Sequence, residues 1–169
     1  MPTMRTFAAL AVACGAIWSA AATPAAALEM EPVLTLDVAK RIAETCVAMA
    51  QQEDWKMHVA VMDVHGNLKY YVRMDGAQLL SHEIAMSKAN TTAKIPRSTK
   101  TLGDFAYGNP EKSPGAIAFV HGIALFEGGL PIMTADGAHI GGLGVSGSSG
   151  ANDGICGQAG LDAVADLLQ

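Results

Sequence analysis

The chain has 169 residues, half of them hydrophobic, and carries a net charge of −5 at pH 7. That length suits one ordinary domain after a short leader. No Lys/Arg cluster breaks the acidic balance, so nucleic acid and anionic membrane surfaces are excluded as natural partners.

The first element is an export signal. Arg5 precedes an apolar, uncharged run from Phe7 to Ala22. Thr23-Pro24 breaks a helix, and Ala25-Ala26-Ala27 offers the small residues that signal peptidase requires. A spanning helix needs about 20 strongly apolar residues, whereas this run is rich in Ala and ends at a Pro. Cys14 sits in a poor lipobox. The expectation is a signal peptide over residues 1–27 and a single domain over 28–169, periplasmic or secreted, with no membrane attachment after cleavage. Such a compartment lacks ready ATP and NAD(P)H, so an activity there should need neither. Cys46 and Cys156 remain after cleavage. Oxidising surroundings allow them to pair, and two separate buried thiols is the other reading.

Leu34 to Gln52 reads as a helix, with Thr35 as cap and Val38, Ile42, Cys46 and Met49 as its apolar stripe. Met57 to Val64 is apolar on both faces, as in a central strand. His65-Gly66-Asn67 is a turn signal. From Leu68 to Met74 the chain alternates, with Leu68, Tyr70, Val72 and Met74 on one side and Lys69, Tyr71 and Arg73 on the other. These two strands predict a hairpin. Ser81 to about Lys94 reads as a second helix, with Ile84, Ala85, Lys88 and Ala89 on one face, stopped by Pro96. Ser98 to Phe105 is a further short helix. Gly115 to Phe126 is apolar but irregular. Leu130–Thr134 and His139–Ser146 flank an Asp136-Gly137 turn and form a second hairpin. Gly141, Gly142 and Gly144 inside a strand mark a close approach by another backbone or by a ligand. A last helix runs to Leu168, capped by Asn152 or Asp153. The order α, hairpin, α, α, hairpin, α predicts a mixed α/β (α+β) domain with a profilin- or PAS-like layer: an antiparallel sheet flanked by helices.

An ordered set of segments now carries a resemblance. They are Leu34 to Asp37, Val59 to Asn67, Arg73 to Gly76, Ser81 to Lys88, Gly128 to Pro131, Gly142 to Gly147, Asn152-Asp153 and Ala159 to Ala163. Together they resemble the GlcG/HbpS family of haem-binding-like proteins, which also includes the C-terminal domain of PduO. The resemblance implies a five-stranded antiparallel sheet flanked by helices. It also implies homo-oligomers, from dimer to octamer, and a small-molecule ligand that is haem or a related compound in some members. It sets the first and last helices side by side, which makes a Cys46–Cys156 disulfide conceivable.

Five histidines are present: His58, His65, His82, His121 and His139. No pair has the i, i+4 spacing of a zinc helix. A haem iron needs only one good axial ligand, and His82, which opens a helix after Arg73 and Asp75, is the candidate. The plainer reading of His82 is a surface or capping residue. His65 belongs to a turn, and His58 and His139 belong to strands as hydrogen-bonded structural residues. Arg73 and Lys88 can hold a carboxylate, or Lys88 can act as a base if desolvated. The plainer reading of these is an ion pair with Asp75, Glu83 or Asp153. Gly129 and the Gly144–Gly150 loop would let a ligand, with Ser146 among its contacts, reach N–H groups at the last helix's start. Ser146 is no hydrolase nucleophile, because Gly144 to Ser148 lacks the final Gly of the elbow motif.

Two function classes follow. The first is an exported small-ligand-binding protein for haem or a similar planar, carboxylate-bearing molecule, with Arg73, Asp75, His82, Lys88, Gly129 and Ser146 around the ligand. The second is a cofactor-independent lyase or isomerase in which Lys88, His82 and Arg73 act on a small carboxylic or aromatic substrate. A third, plainer reading is an assembly module. Low aromatic content, 5%, weighs mildly against a deep haem pocket.

Overall fold

The structure is a computed structural model and describes residues 31–109, 111 and 114–169. The signal peptide expected over residues 1–27 lies outside them. In chain order the elements are α1 (Leu36–Gln52), β1 (His58–Asp63), β2 (Leu68–Arg73), α2 (Leu79–Lys94) and α3 (Thr99–Tyr107). A 3-10 turn (Ala116–Phe119), β3 (Gly129–Met133), β4 (His139–Ser146) and α4 (Gly150–Asp162) follow. The sheet is antiparallel with strand order β2-β1-β4-β3.

Among the described residues the sheet has four strands, one fewer than the resemblance implies. The chain from Gly115 to Gly128 makes a 3-10 turn and loop. Gly122 and Gly128, with φ of 78° and 117°, bend it out of any extended path.

Both predicted hairpins form, and β1 and β4 occupy the centre because their side chains are buried on both faces. One face carries α1 and α4. Ile42, Ala43 and Cys46 from α1 pack there with Val59, Val61, Leu143 and Val145 from the sheet and Cys156 from α4. Gly160 makes this pairing close, since a Cβ there would stand 2.5 Å from the Ile42 carbonyl oxygen. Cys46 and Cys156 bridge the two helices as a disulfide, with a Cα–Cα separation of 4.8 Å.

The other face carries α2. Ala85, Ala89 and Ala93 pack on Ala60 and Met62. A Cβ on Gly144 would lie 2.0 Å from the Ala85 carbonyl oxygen, and one on Gly142 would lie 2.2 Å from the Ala93 nitrogen. The close approach marked by these glycines is therefore the backbone of α2. The last helix is capped by Ser149, which accepts from Asn152 N–H at 3.2 Å, so neither Asn152 nor Asp153 is the cap. Asp153 instead lies inside the helix, and its carboxylate turns back toward the preceding loop.

Candidate functional site

The hairpin register builds the site. His58 pairs with Arg73, and Ala60 pairs with Tyr71. The small Ala60 leaves room for the Tyr71 ring to lie toward His58. The turn after β2 then leads into α2, whose first turn brings His82 over the same ring. The Tyr71–His82 ring centroids are 5.2 Å apart and edge-on at 86°, and His58 lies 6.0 Å from each.

One hydroxyl joins the three rings. Tyr71 Oη is 2.5 Å from His58 Nδ1 and 2.8 Å from His82 Nδ1. His58 Nε2 is 2.9 Å from the Gln78 carbonyl oxygen. His58 is fully buried and Tyr71 half-buried, while His82 is exposed. Burial pushes the His58 pKa down from its ordinary value, opposed by the bond to Gln78 and aided by the neighbouring His82 and Arg73. Burial also pushes the Tyr71 phenol up, against the pull of Arg73. Arg73 is exposed, and its Nη2 donates to the Ala77 carbonyl at 3.4 Å, which ties the turn leading to α2. Arg73 and Asp75 also line a surface groove of about 350 Å³ with Lys56, Val72 and Met74.

Lys88 belongs to a different centre. It lies six residues beyond His82 and therefore on another side of α2. Its ammonium donates to Asp153 Oδ2 and to the Val145 carbonyl, both at 2.8 Å. The Phe126 ring covers it, 5.0 Å from nitrogen to centroid. Asp153 Oδ1 accepts from Ser148 N–H at 3.1 Å. Both side chains are buried, 1% and 4% exposed. Gly128 closes the lid, because a Cβ there would stand 2.5 Å from the Lys88 nitrogen. Burial pushes Lys88 down and Asp153 up, each toward its neutral form, while their mutual hydrogen bond opposes both shifts. Of the three ion-pair partners considered for Lys88, the structure selects Asp153. The loop before α4 is thus already occupied by the protein's own carboxylate.

The remaining sequence-derived residues divide between these centres. Ser146 is buried and pairs with His58 across β1 and β4. Gly129 is buried under Thr99, to whose hydroxyl its N–H donates at 2.9 Å. His65 is exposed in its turn. His139 Nε2 lies 2.8 Å from the Thr92 carbonyl and 2.9 Å from that of Gly141, a structural role. Arg73 and His82 are therefore each set beside His58, and Lys88 and Gly129 are not with them. Tyr71 and His58 are the members missed as site residues. Their signal was the alternation that puts Tyr71 on the Arg73 side, together with the pairing of His58 and Arg73.

The family described as "Haem degrading protein HbpS-like" matches residues 34–162. Protein GlcG of Escherichia coli (strain K12) is 31% identical over 121 residues, which are 70% of this chain and 85% of GlcG. The crystal structure of HbpS is 30% identical with a TM-score of 0.73, covering 85% of this chain and 98% of that one. The crystal structure of a PduOC:heme complex is 29% identical with a TM-score of 0.70, covering 78% of this chain and 95% of that one. With its match running from the start of α1 to the end of α4, the chain belongs to the HbpS-like family.

Proposed function

We propose that this protein is an exported binding protein for haem or a similar planar, carboxylate-bearing molecule. The observation that carries the reading is His82: an exposed imidazole held by a hydrogen-bonded chain that starts at buried His58, with a guanidinium on the adjoining strand. Among the described residues no group of three or more His, Cys, Asp or Glu is placed to hold a bare metal ion. A metal that arrives already chelated needs one protein ligand, and this donor set fits that need. His82 would supply the ligand nitrogen and Arg73 would pair with a carboxylate of the ligand. The bound haem would bring its iron and its flat apolar face. The match to the PduOC:heme complex supports the same class of ligand.

His82 opens outward, and Leu79, one turn before it, is 80% exposed, with Leu80 at 64%. A flat ligand here has one face on α2, and a second copy of the chain would cover the other. A homo-oligomer is therefore part of the proposal. Light scattering of the purified protein should report an assembly rather than a monomer. The Cys46–Cys156 disulfide supports an oxidising compartment. Amino-terminal sequencing of protein recovered outside the cytoplasm should begin at Leu28.

The deciding experiment is titration of haem into the purified protein, followed by absorbance. Saturable binding with a shifted Soret band is expected, and its absence overturns the haem reading. His82→Ala should change the iron spectrum; an unchanged spectrum removes His82 as the ligand.

A further inference from the structure

The hydrogen bonds that end at His82 begin at a backbone carbonyl. A carbonyl only accepts, so His58 Nε2, 2.9 Å from the Gln78 oxygen, carries a proton. At about pH 8 an imidazole of ordinary pKa is neutral, so with the proton on Nε2 His58 Nδ1 is bare. The donor it meets is the Tyr71 hydroxyl, because an ordinary phenol keeps its proton well above neutral pH. The one hydroxyl proton is spent there. His82 Nδ1, 2.8 Å from the same oxygen, must therefore donate. A neutral His82 is left with its proton on Nδ1 and a lone pair on Nε2.

We propose that Gln78, His58 and Tyr71 form a tautomer lock that presents the His82 Nε2 lone pair outward as the ligand for a chelated metal, with Tyr71 as the positioning residue. The proposal rests on the reading of His82 as the haem ligand and adds how that nitrogen is made ready. In water a neutral histidine side chain favours the opposite tautomer, with the proton on Nε2. An unlocked His82 would bind through a minority form, and its apparent affinity would fall by the fraction that is competent. The Tyr71 oxygen also accepts from Nδ1–H, as the outer partner of a metal-bound histidine does. Loss of such a partner costs about 10–100-fold in metal affinity. Tyr71 thus sits where it both selects the tautomer and raises the basicity of Nε2.

The test needs no haem for its first arm. Full-length protein labelled with ¹⁵N in its histidines is examined by two-bond ¹H–¹⁵N correlation at about pH 8, where unperturbed imidazole is neutral. In the wild type, His82 should show a protonated Nδ1 and a bare Nε2, and His58 should show the reverse. In Tyr71→Phe, His82 should move to the mixture seen for free histidine while the other signals hold. A wild-type His82 protonated on Nε2 overturns the lock, and so does a Tyr71→Phe variant whose His82 tautomer is unchanged. If Tyr71→Phe does not fold, the wild-type spectrum decides alone. The second arm titrates haem into both proteins, and Tyr71→Phe should bind about 10-fold more weakly. A locked His82 in a protein that binds no haem refutes the haem reading and leaves the lock standing.

Discussion

Two polar centres hang from the same helix and differ in how they end. The Lys88–Asp153 pair is charged and closed. Its donors meet Asp153, Val145 and the Phe126 face, and Gly128 covers it. The His58–Tyr71–His82 chain is anchored at the Gln78 carbonyl and runs outward through buried His58 to an exposed ring. The first centre has nothing left to offer a ligand. The second ends at His82 Nε2, which no hydrogen bond reaches among the described residues. Lysine is the more conspicuous residue in sequence, yet the open end is what separates a binding group from a structural one.

The largest test of this contrast removes the closed centre. Asp153→Ala leaves a buried ammonium unpaired and should cost about 3–5 kcal/mol, read as a fall in the urea midpoint. Replacing both partners, Lys88→Met with Asp153→Leu, should recover most of that loss. If the double variant is as unstable as the single one, the pair has a role beyond filling its own space. Removing the disulfide with Cys46→Ala and Cys156→Ala should cost roughly 2–5 kcal/mol, because the bridge closes a long loop. A denaturation curve unmoved by reducing agent would remove the support it lends to export.

Smaller effects follow at the sheet and at the open chain. Gly144→Ala forces α2 off the sheet and should cost about 1–3 kcal/mol by overpacking, seen as a lowered melting temperature. Tyr71→Phe leaves a buried imidazole nitrogen without its donor and should cost about 1–3 kcal/mol. Its pH signature sharpens the comparison. Burial lowers the His58 pKa in the folded protein, from an ordinary 6.5, so the unfolded chain takes up the proton first. The stability linked to the neutral ring is fully present above about pH 6.5. It is lost as the pH falls from there through the folded-state value. Stability curves recorded on either side of that window should converge in His58→Gln. His82→Ala should change stability least, within about 0.5 kcal/mol as an exposed substitution, while carrying the largest change in ligand spectrum. A strongly destabilised His82→Ala would place His82 with the structural residues instead.

Much of the fold was legible because local rules and tertiary packing agree. Thr35, the turn at Gly66 and the Asp136-Gly137 turn each behave as their chemistry dictates. The candidate site was legible only in part. The sequence singles out Arg73 and His82, but His58 reads there as a structural strand residue. The hairpin explains why. Between Val61 and Met62 the register shifts, so Met62 pairs with Leu68 while His58 pairs with Arg73. Counting back from the turn without this bulge sets His58 one residue out of register. Gly142 and Gly144 carried a true signal of close approach, yet a missing side chain does not say whether a ligand or a helix fills the space. The sequence offers Asn152 or Asp153 as the last helix's cap, and only the position of Ser149 as the actual cap shows that the Asp153 carboxylate is free to reach Lys88.

The sequence by itself determined most of the elements, both hairpins, the amphipathic first helix and the family, because these follow from periodicity, turn chemistry and an ordered set of motifs; the last helix ends at Asp162 rather than Leu168. The sequence also singled out Lys88 and His82, one member of each centre. The tertiary structure alone decided which of them meet: Cys46 with Cys156, Lys88 with Asp153, and Tyr71 between two histidines. The reason is that such contacts depend on strand register and on how closely a helix can approach a sheet. Those quantities belong to pairs of segments, and no single segment carries them.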